Sequence, residues 1–305
     1  MDLHHLTLQQ LQVFVAVARS GTTAAAADLL ARSQSATSAA LNELERGLDL
    51  RLFDRIGKRL ALNENGRALL PRALAVIDGA TRIEAMSTDL VEPRLSLRVG
   101  ASTTLGNYVL PAVLARYFAD VVEDGPNSWH CAVRIGNTTE ICRAVAELEI
   151  DIGVVEGPSH APGVEMHPWR EDEMLIVGAP GSALAQEAAR APLGIAALRR
   201  ATWLLREPSS GTRETTDQLL LPRLGVYARS IELGSSEAIK HAAAAGLGIA
   251  CLSRWVVADM LARGELLPLP TRLGALKRQC YWVRHPARVP TAASAAFIEM
   301  LNSAE

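Results

Sequence analysis

The sequence predicts an α/β chain with a winged helix-turn-helix at its N-terminus, a long linker helix, and a two-lobed α/β domain behind it. Three observations carry this. Thr23–Arg46 reads as two short amphipathic helices around a tight turn. Leu69 to Leu90 repeats apolar residues as one long seam. From Leu95 onward, strands alternate with helices over about 210 residues, a pattern that implies parallel, doubly wound sheets and enough length for two lobes.

The first helix runs over Leu8–Ser20. Leu8, Leu11, Phe14, Val15 and Ala18 fall on one side, and Gly21 closes it as a left-handed cap. Thr22 or Thr23 caps the next helix, whose stripe of Ala26, Ala27 and Leu30 is small enough for a close neighbour. Arg32–Ser33 breaks the pattern, and Ser33 caps a helix from Gln34 to Leu48. Its apolar stripe is Ala36, Ala40, Leu41, Leu44 and Leu48. Its other face is Gln34, Ser35, Thr37, Ser38 and Asn42. These uncharged side chains donate and accept, as reading base edges in a major groove requires. Thr23 and Arg32 flank that face. Periodicity alone fits an αα-hairpin in a helical core equally well.

Arg51–Arg67 follows with five basic residues in seventeen. LFDR and RLAL read as two short strands around Ile56-Gly57-Lys58, a wing. Beside such a helix, Arg55, Lys58 and Arg59 would grip phosphates and position it without specifying sequence. Standing alone, the same hairpin would read as a solvated one.

Asn63 caps a helix running to about Leu90. Leu69, Ala73, Val76, Ala80, Ile83 and Leu90 repeat at 4, 3, 4, 3 and 7, with Ser87 the polar interruption and Pro71 a kink. At ~1.5 Å per residue the helix is about 40 Å long. A seam of that length asks for a partner: the same helix of a second copy, or the chain's own C-terminal domain.

Beyond Glu92-Pro93 we expect strands at Leu95–Ser102, Cys131–Asn137, Asp151–Gly157, Met174–Pro180, Thr202–Pro208, Ser230–Leu233, Gly248–Arg254 and Gln279–His285. Helices fall at Tyr108–Phe118, Thr138–Leu148, Ile195–Ala201, Arg213–Leu221, Glu237–Ala245 and Thr291–Leu301. Four strand-to-helix junctions carry small polar residues: Ser102-Thr103-Thr104, Asn137-Thr138-Thr139, Ser209-Ser210-Gly211-Thr212 and Gly234-Ser235-Ser236. Ligands of open α/β sheets sit at such carboxyl ends, where helix N-termini offer unpaired amides. Converging hydroxyls and amides suit a small anion or carboxylate. Arg213 would add a full charge, and Glu156 would select a donor on the ligand or act as a cap. Any one of these residues taken singly reads more simply as a helix cap.

Composition narrows the classes. The net charge of −2 excludes a globally basic nucleic-acid binder, and only Lys58, Lys240 and Lys277 are lysines. Hydrophobic residues make up 49% but aromatics 4%, so the cores must be aliphatic. No leader-like N-terminus and no span of about 18 apolar residues is present, which points to the cytoplasm and away from a membrane. Cys131, Cys142, Cys251 and Cys280 lack paired or metal-type spacing and read as reduced core thiols. No G-x-S-x-G, P-loop, G-x-G-x-x-G or paired-histidine motif occurs, so we expect no enzyme, no metal and no cofactor. His241 follows Ser236 on one helix, but nothing brings it to Ser210. Glu171-Asp172-Glu173 reads as a solvated turn.

The run S-Q-S-A-T-S-A-A-L-N-E-L-E with L-F-D-R after it resembles the helix-turn-helix of the LysR-type transcriptional regulators, and the likeness extends from Leu6 over nearly the whole chain. The resemblance implies a bacterial source, operator DNA as partner, dimerisation through the linker helix, and a two-lobed effector domain similar to type II periplasmic binding proteins. It implies Ser102, Thr103, Thr104, Ser210 and Thr212 as effector contacts, to which the junction argument adds Asn137, Thr138, Glu156, Arg213 and Ser236. The chain departs from the pattern where Ala39 and Ala40 follow Ser38, since the family often has arginine there; a mid-helix guanine contact is absent. GNYVLPAV and LGSSEAIKHAAAAGLGI resemble a subgroup associated with sulfur or one-carbon assimilation, favouring an oxyanion or small acid. The expected organisation is a DNA-binding domain over 1–63, a linker over 64–91, and an effector domain over 92–305, with lobe I at about 92–160 plus 271–305 and lobe II at about 161–270. The chain would cross between lobes near Pro158–Arg170 and Gly264–Lys277. A homodimer or homotetramer regulated by a small anion is the first reading. A solute-binding protein with a helical N-terminal extension is the alternative, and the basic wing counts against it.

Overall fold

Thr7 opens the first helix, Leu8–Ser20 (α1), with a reciprocal cap: its hydroxyl accepts from the Gln10 amide at 3.2 Å and its own amide donates to the Gln10 side chain at 2.9 Å. Gly21 ends α1 with φ +75°, a conformation that favours glycine. Thr22 caps Thr23–Leu29 (α2) and Ser33 caps Gln34–Leu48 (α3). Leu11, Phe14 and Val17 of α1 bury with Ala26, Ala27, Leu41 and Leu44. Strands Phe53–Ile56 (β1) and Arg59–Leu62 (β2) pair antiparallel as the wing, with Phe53 against the Phe14 ring at 5.5 Å. Asn63 caps Glu64–Asp89 (α4), its side-chain oxygen accepting from the Gly66 amide at 2.9 Å. The computed structural model describes residues 6–57, 59–89, 94–124, 128–157 and 163–303. The expected wing residue Lys58, seam residue Leu90 and boundary Glu92-Pro93 therefore lie outside the described residues.

Two compact units result: residues 1–93 with 287–289, and 94–286 with 290–305. In the second unit Arg94–Ser102 (β3) leads directly into Thr103–Tyr108 (α5) and Leu110–Asp124 (α6). Ser128–Gly136 (β4), Thr138–Ala146 (α7) and Ile152–Glu156 (β5) follow. β4, β3 and β5 are parallel neighbours. Glu165–Gly178 (β6) then carries the chain into the second lobe. Ala183–Arg190 (α8), Ile195–Arg200 (α9), Thr202–Leu205 (β7), Gly211–Leu224 (α10), Arg229–Glu232 (β8), Ser236–Ala244 (α11), Ala250–Ser253 (β9), Arg254–Arg263 (α12) and Leu267–Pro268 (β10) build that lobe. Leu276–Arg284 (β11) returns, and Ala292–Ser303 (α13) closes on the first lobe.

The expected all-parallel sheets are corrected here to a mixed sheet. β6 and β11 are long strands running antiparallel to each other through both lobes, and β11 also pairs antiparallel with β5. The chain crosses between lobes within strands, because each residue of a through-going strand keeps its backbone bonds satisfied where a loop would not. Period 2 holds throughout: Val154 and Trp282 face one core while Val155 and Val283 face another. In the second lobe Met174 and Ile176 face one core and Val177 the other. α5, α8 and α12 were not anticipated, and the helix expected from Tyr108 is preceded by α5, which begins at Thr103.

Candidate functional site

The head presents a concavity of about 440 Å³ between the start of α2, α3 and the wing. Thr23, Gln34, Ser38, Asn42, Arg55 and Arg59 line it, as the sequence placed them, and Arg51 joins them. Arg32, Ser33 and Ser35 are exposed at the start of α3. The expected base-reading residue Thr37 is a correction: it is 0% exposed, and its hydroxyl donates to the Ser33 carbonyl at 3.1 Å. Ala36, taken for the apolar stripe, is exposed instead. The helix is rotated from the expected stripe because Thr37, Ala40, Leu41, Leu44 and Glu45 form its inner face. Glu45 is buried by purpose of its bonds. It accepts from the Leu52 amide at 2.8 Å and from Arg51 at 3.0 Å, tying the wing's first residues to the recognition helix.

In the second unit the carboxyl ends of β3, β4 and β5 face those of β7 and β8 across the lobe boundary. Asn137 and Ser235 are helix caps: they accept from the Glu140 and Ala238 amides. Ser102 and Ser210 do not use their side chains as caps. The Ser102 hydroxyl donates to Glu156, and from the other lobe Thr212 donates to the same carboxylate at 3.3 Å. Thr138 donates to the Glu156 carbonyl at 3.1 Å, and Thr103 to the Gly136 carbonyl. Asn137 donates to Ser209 at 3.1 Å, a further bond between lobes. Ser102, Thr104, Ser210, Thr212 and Ser236 are all buried. Gly211 sits where a methyl would overlap the Glu156 carbonyl oxygen and the Thr138 hydroxyl, so glycine lets α10 start against the first lobe.

Arg213, expected to bring positive charge to this cluster, is corrected: its guanidinium is engaged by Asp217 at 2.9 Å, the Arg206 carbonyl and Glu232. The charge at Glu156 belongs to Arg278 on β11. Its guanidinium lies 3.5 Å from Glu156, donates to Thr212 at 3.0 Å and pairs with Asp172 at 2.7 Å. Ser253 donates to the other Asp172 oxygen. Burial alone would lower the Arg278 guanidinium, but Glu156 and Asp172 hold it above its ordinary value. Asp172 also corrects the solvated-turn reading. Within β6, Glu171 and Glu173 face out toward Lys277 and Arg254, while Asp172 between them faces in. Arg206 is a second buried guanidinium; it donates to Ser236 at 3.1 Å and pairs with Glu207. Sequence reasoning missed Arg278, Asp172 and Arg206; the available signal was a charge at an inward register position of an apolar strand. Among the described residues, no group of three or more His, Cys, Asp or Glu stands where it could hold a metal ion.

A helix-turn-helix head with a basic wing, ahead of a two-lobed domain whose facing strand ends converge on one another, defines a bacterial DNA-binding regulator with a ligand-responsive domain. The chain belongs to the LysR family. The model described as "Bacterial regulatory helix-turn-helix protein, lysR family" matches residues 8–67, and the "LysR substrate binding domain" matches residues 91–305. It is 44% identical to the "Uncharacterized HTH-type transcriptional regulator YeiE" of Escherichia coli (strain K12), over 98% of each chain. It is 30% identical to the HTH-type transcriptional regulator CysL of Bacillus subtilis (strain 168), over 96% of each. ArgP from Mycobacterium tuberculosis shares the fold with TM-score 0.67 at 20% identity, covering 96% of this chain and 95% of that one. The chain is thus a transcriptional regulator with an effector-binding domain, and not an enzyme. Among the described residues, no helix is long and apolar enough to cross a membrane.

Proposed function

We propose that Gln34, Ser35, Ser38 and Asn42 read base edges in a major groove while Thr23, Arg32, Ser33, Arg55 and Arg59 hold phosphates, over a DNA-binding domain of residues 1–63. The linker, 64–91, pairs two copies of the chain, so that two heads meet two half-sites. A small anionic effector enters the cleft of residues 92–305, where Ser102, Thr104, Thr138, Ser210, Thr212 and Ser236 supply donors. It binds one arrangement of the lobes better than another, and that differential affinity is the coupling to DNA binding. The protein works in the cytoplasm, where its operator is. The observation supporting the effector reading most strongly is that hydroxyls from both lobes, Ser102 and Thr212, meet on one buried point. Helix caps have no reason to do so.

Arg55→Ala with Arg59→Ala tests the wing. Affinity for every duplex falls, and the slope of log K against log salt becomes shallower by about 2, one unit per lost phosphate contact. An unchanged slope contradicts the assignment. Thr212→Val tests the cleft: it removes the change in operator affinity that effector produces.

A further inference from the structure

Glu156 is the feature of the cleft that an anion-binding reading leaves unexplained. Its carboxylate is 2% exposed and takes the hydroxyl protons of Ser102 and Thr212, with the Arg278 guanidinium 3.5 Å away. Those are the donors an entering anion would use. The chain has placed its own carboxylate among them, at the end of β5, held from the backbone side by Thr138. Arg278 does not neutralise it outright, because the same guanidinium also pairs with Asp172. Two buried carboxylates share one arginine.

A fully deprotonated anion brought to Ser102 and Thr212 meets that negative charge at close range. An anion that also carries an O–H or N–H can turn it toward Glu156 and convert repulsion into a charge-assisted hydrogen bond. A buried acceptor left without its donor rejects the ligand that lacks one. Resting on the anionic-effector reading above, we infer that the effector is a small anion bearing its own hydrogen-bond donor, a hydrogen oxyanion or a hydroxy acid, and that Glu156 is the acceptor that selects it.

The test uses the full chain and three near-isosteric pairs at neutral pH and constant ionic strength: hydrogen phosphate against sulfate, bicarbonate against nitrate, and glycolate against acetate. Binding is read by calorimetry. In at least one pair the donor-bearing member binds about 100-fold tighter. Which pair does so separates an oxyanion from a hydroxy acid. In Glu156→Gln, whose amide donates as well as accepts, the preference collapses to about threefold or less. Ser102→Ala weakens both members of a pair alike, because Ser102 gives a proton to the anion and takes none from it. The wild-type comparison stands whether or not Glu156→Gln folds. Equal binding within every pair, or a preference that survives Glu156→Gln, overturns the role of Glu156 and leaves the effector cleft standing. Failure of all six anions to bind wild type overturns the anionic reading itself, and this inference with it.

Discussion

Thr37 and Ser38 are adjacent hydroxyl residues with opposite fates. Thr37 is sealed in the helix packing and bonded to Ser33, while Ser38 lines the concavity. Thr37→Val therefore costs up to about 1 kcal/mol of stability and leaves sequence preference unchanged, whereas Asn42→Ala alters it; binding to a panel of single-base operator variants separates the two. The sequence could not tell these hydroxyls apart because both fit a polar helical face, and only the packing of Ala40 and Leu44 fixes the rotation. Arg278 is the second case. Its removal in Arg278→Leu strands Glu156 and Asp172 in the interior without a counter-charge, at a cost of about 3–5 kcal/mol, read as a lowered urea midpoint. Burial raises the thiols of Cys251 and Cys280 from 9.0 to about 12. The folded state thus holds those protons more tightly than the unfolded chain. The associated stability is fully present below about pH 9 and is lost as pH rises toward 12, so the thermal midpoint falls across that window. Thiol-specific labelling of the native protein at neutral pH leaves both cysteines unmodified.

At the scale of elements, α4 shows what a pattern can reveal. Its seam was legible because heptad spacing persists for six turns. Ala73 is buried within the head, but Val76 is 51% and Ile83 70% exposed. An apolar row left in water at this spacing is the physical basis for the proposed pairing of two α4 helices. Ile83→Glu with Val76→Glu shifts the chain to monomer in sedimentation velocity without lowering the melting temperature of the head. Persistence of the dimer would move the pairing elsewhere. The elements missed from the sequence had little periodicity to show. α5 has six residues, too few for a stripe. α8 is mostly alanine and polar side chains, and α12 follows β9 with no intervening turn residue. The long strands β6 and β11 were read short because their charged residues, Asp172 and Arg278, resemble loop residues until paired with each other across the sheet.

At the scale of the whole molecule, each unit has a distinct chemistry. The head offers neutral donors and acceptors beside arginines, suited to bases and phosphates. The second unit buries polar groups where strand ends of two lobes meet. Four junctions were legible as candidates because small polar residues cluster there; their division into caps, Asn137 and Ser235, and convergent donors, Ser102 and Thr212, needed the three-dimensional register. Gly211→Ala, which forces α10 away from Glu156, should abolish the effector response measured as a change in operator affinity. The central claim is that this chain reads DNA sequence through α3 while its wing supplies sequence-independent grip. Selection of duplexes from a random-sequence pool by the purified full-length protein, followed by anisotropy titration of the winner against a scrambled duplex, tests it most directly. The account predicts enrichment of a dyad-symmetric motif bound at least about 1,000-fold more tightly than the scramble at physiological salt. Retention of every sequence alike, with equal affinity for winner and scramble, would contradict it.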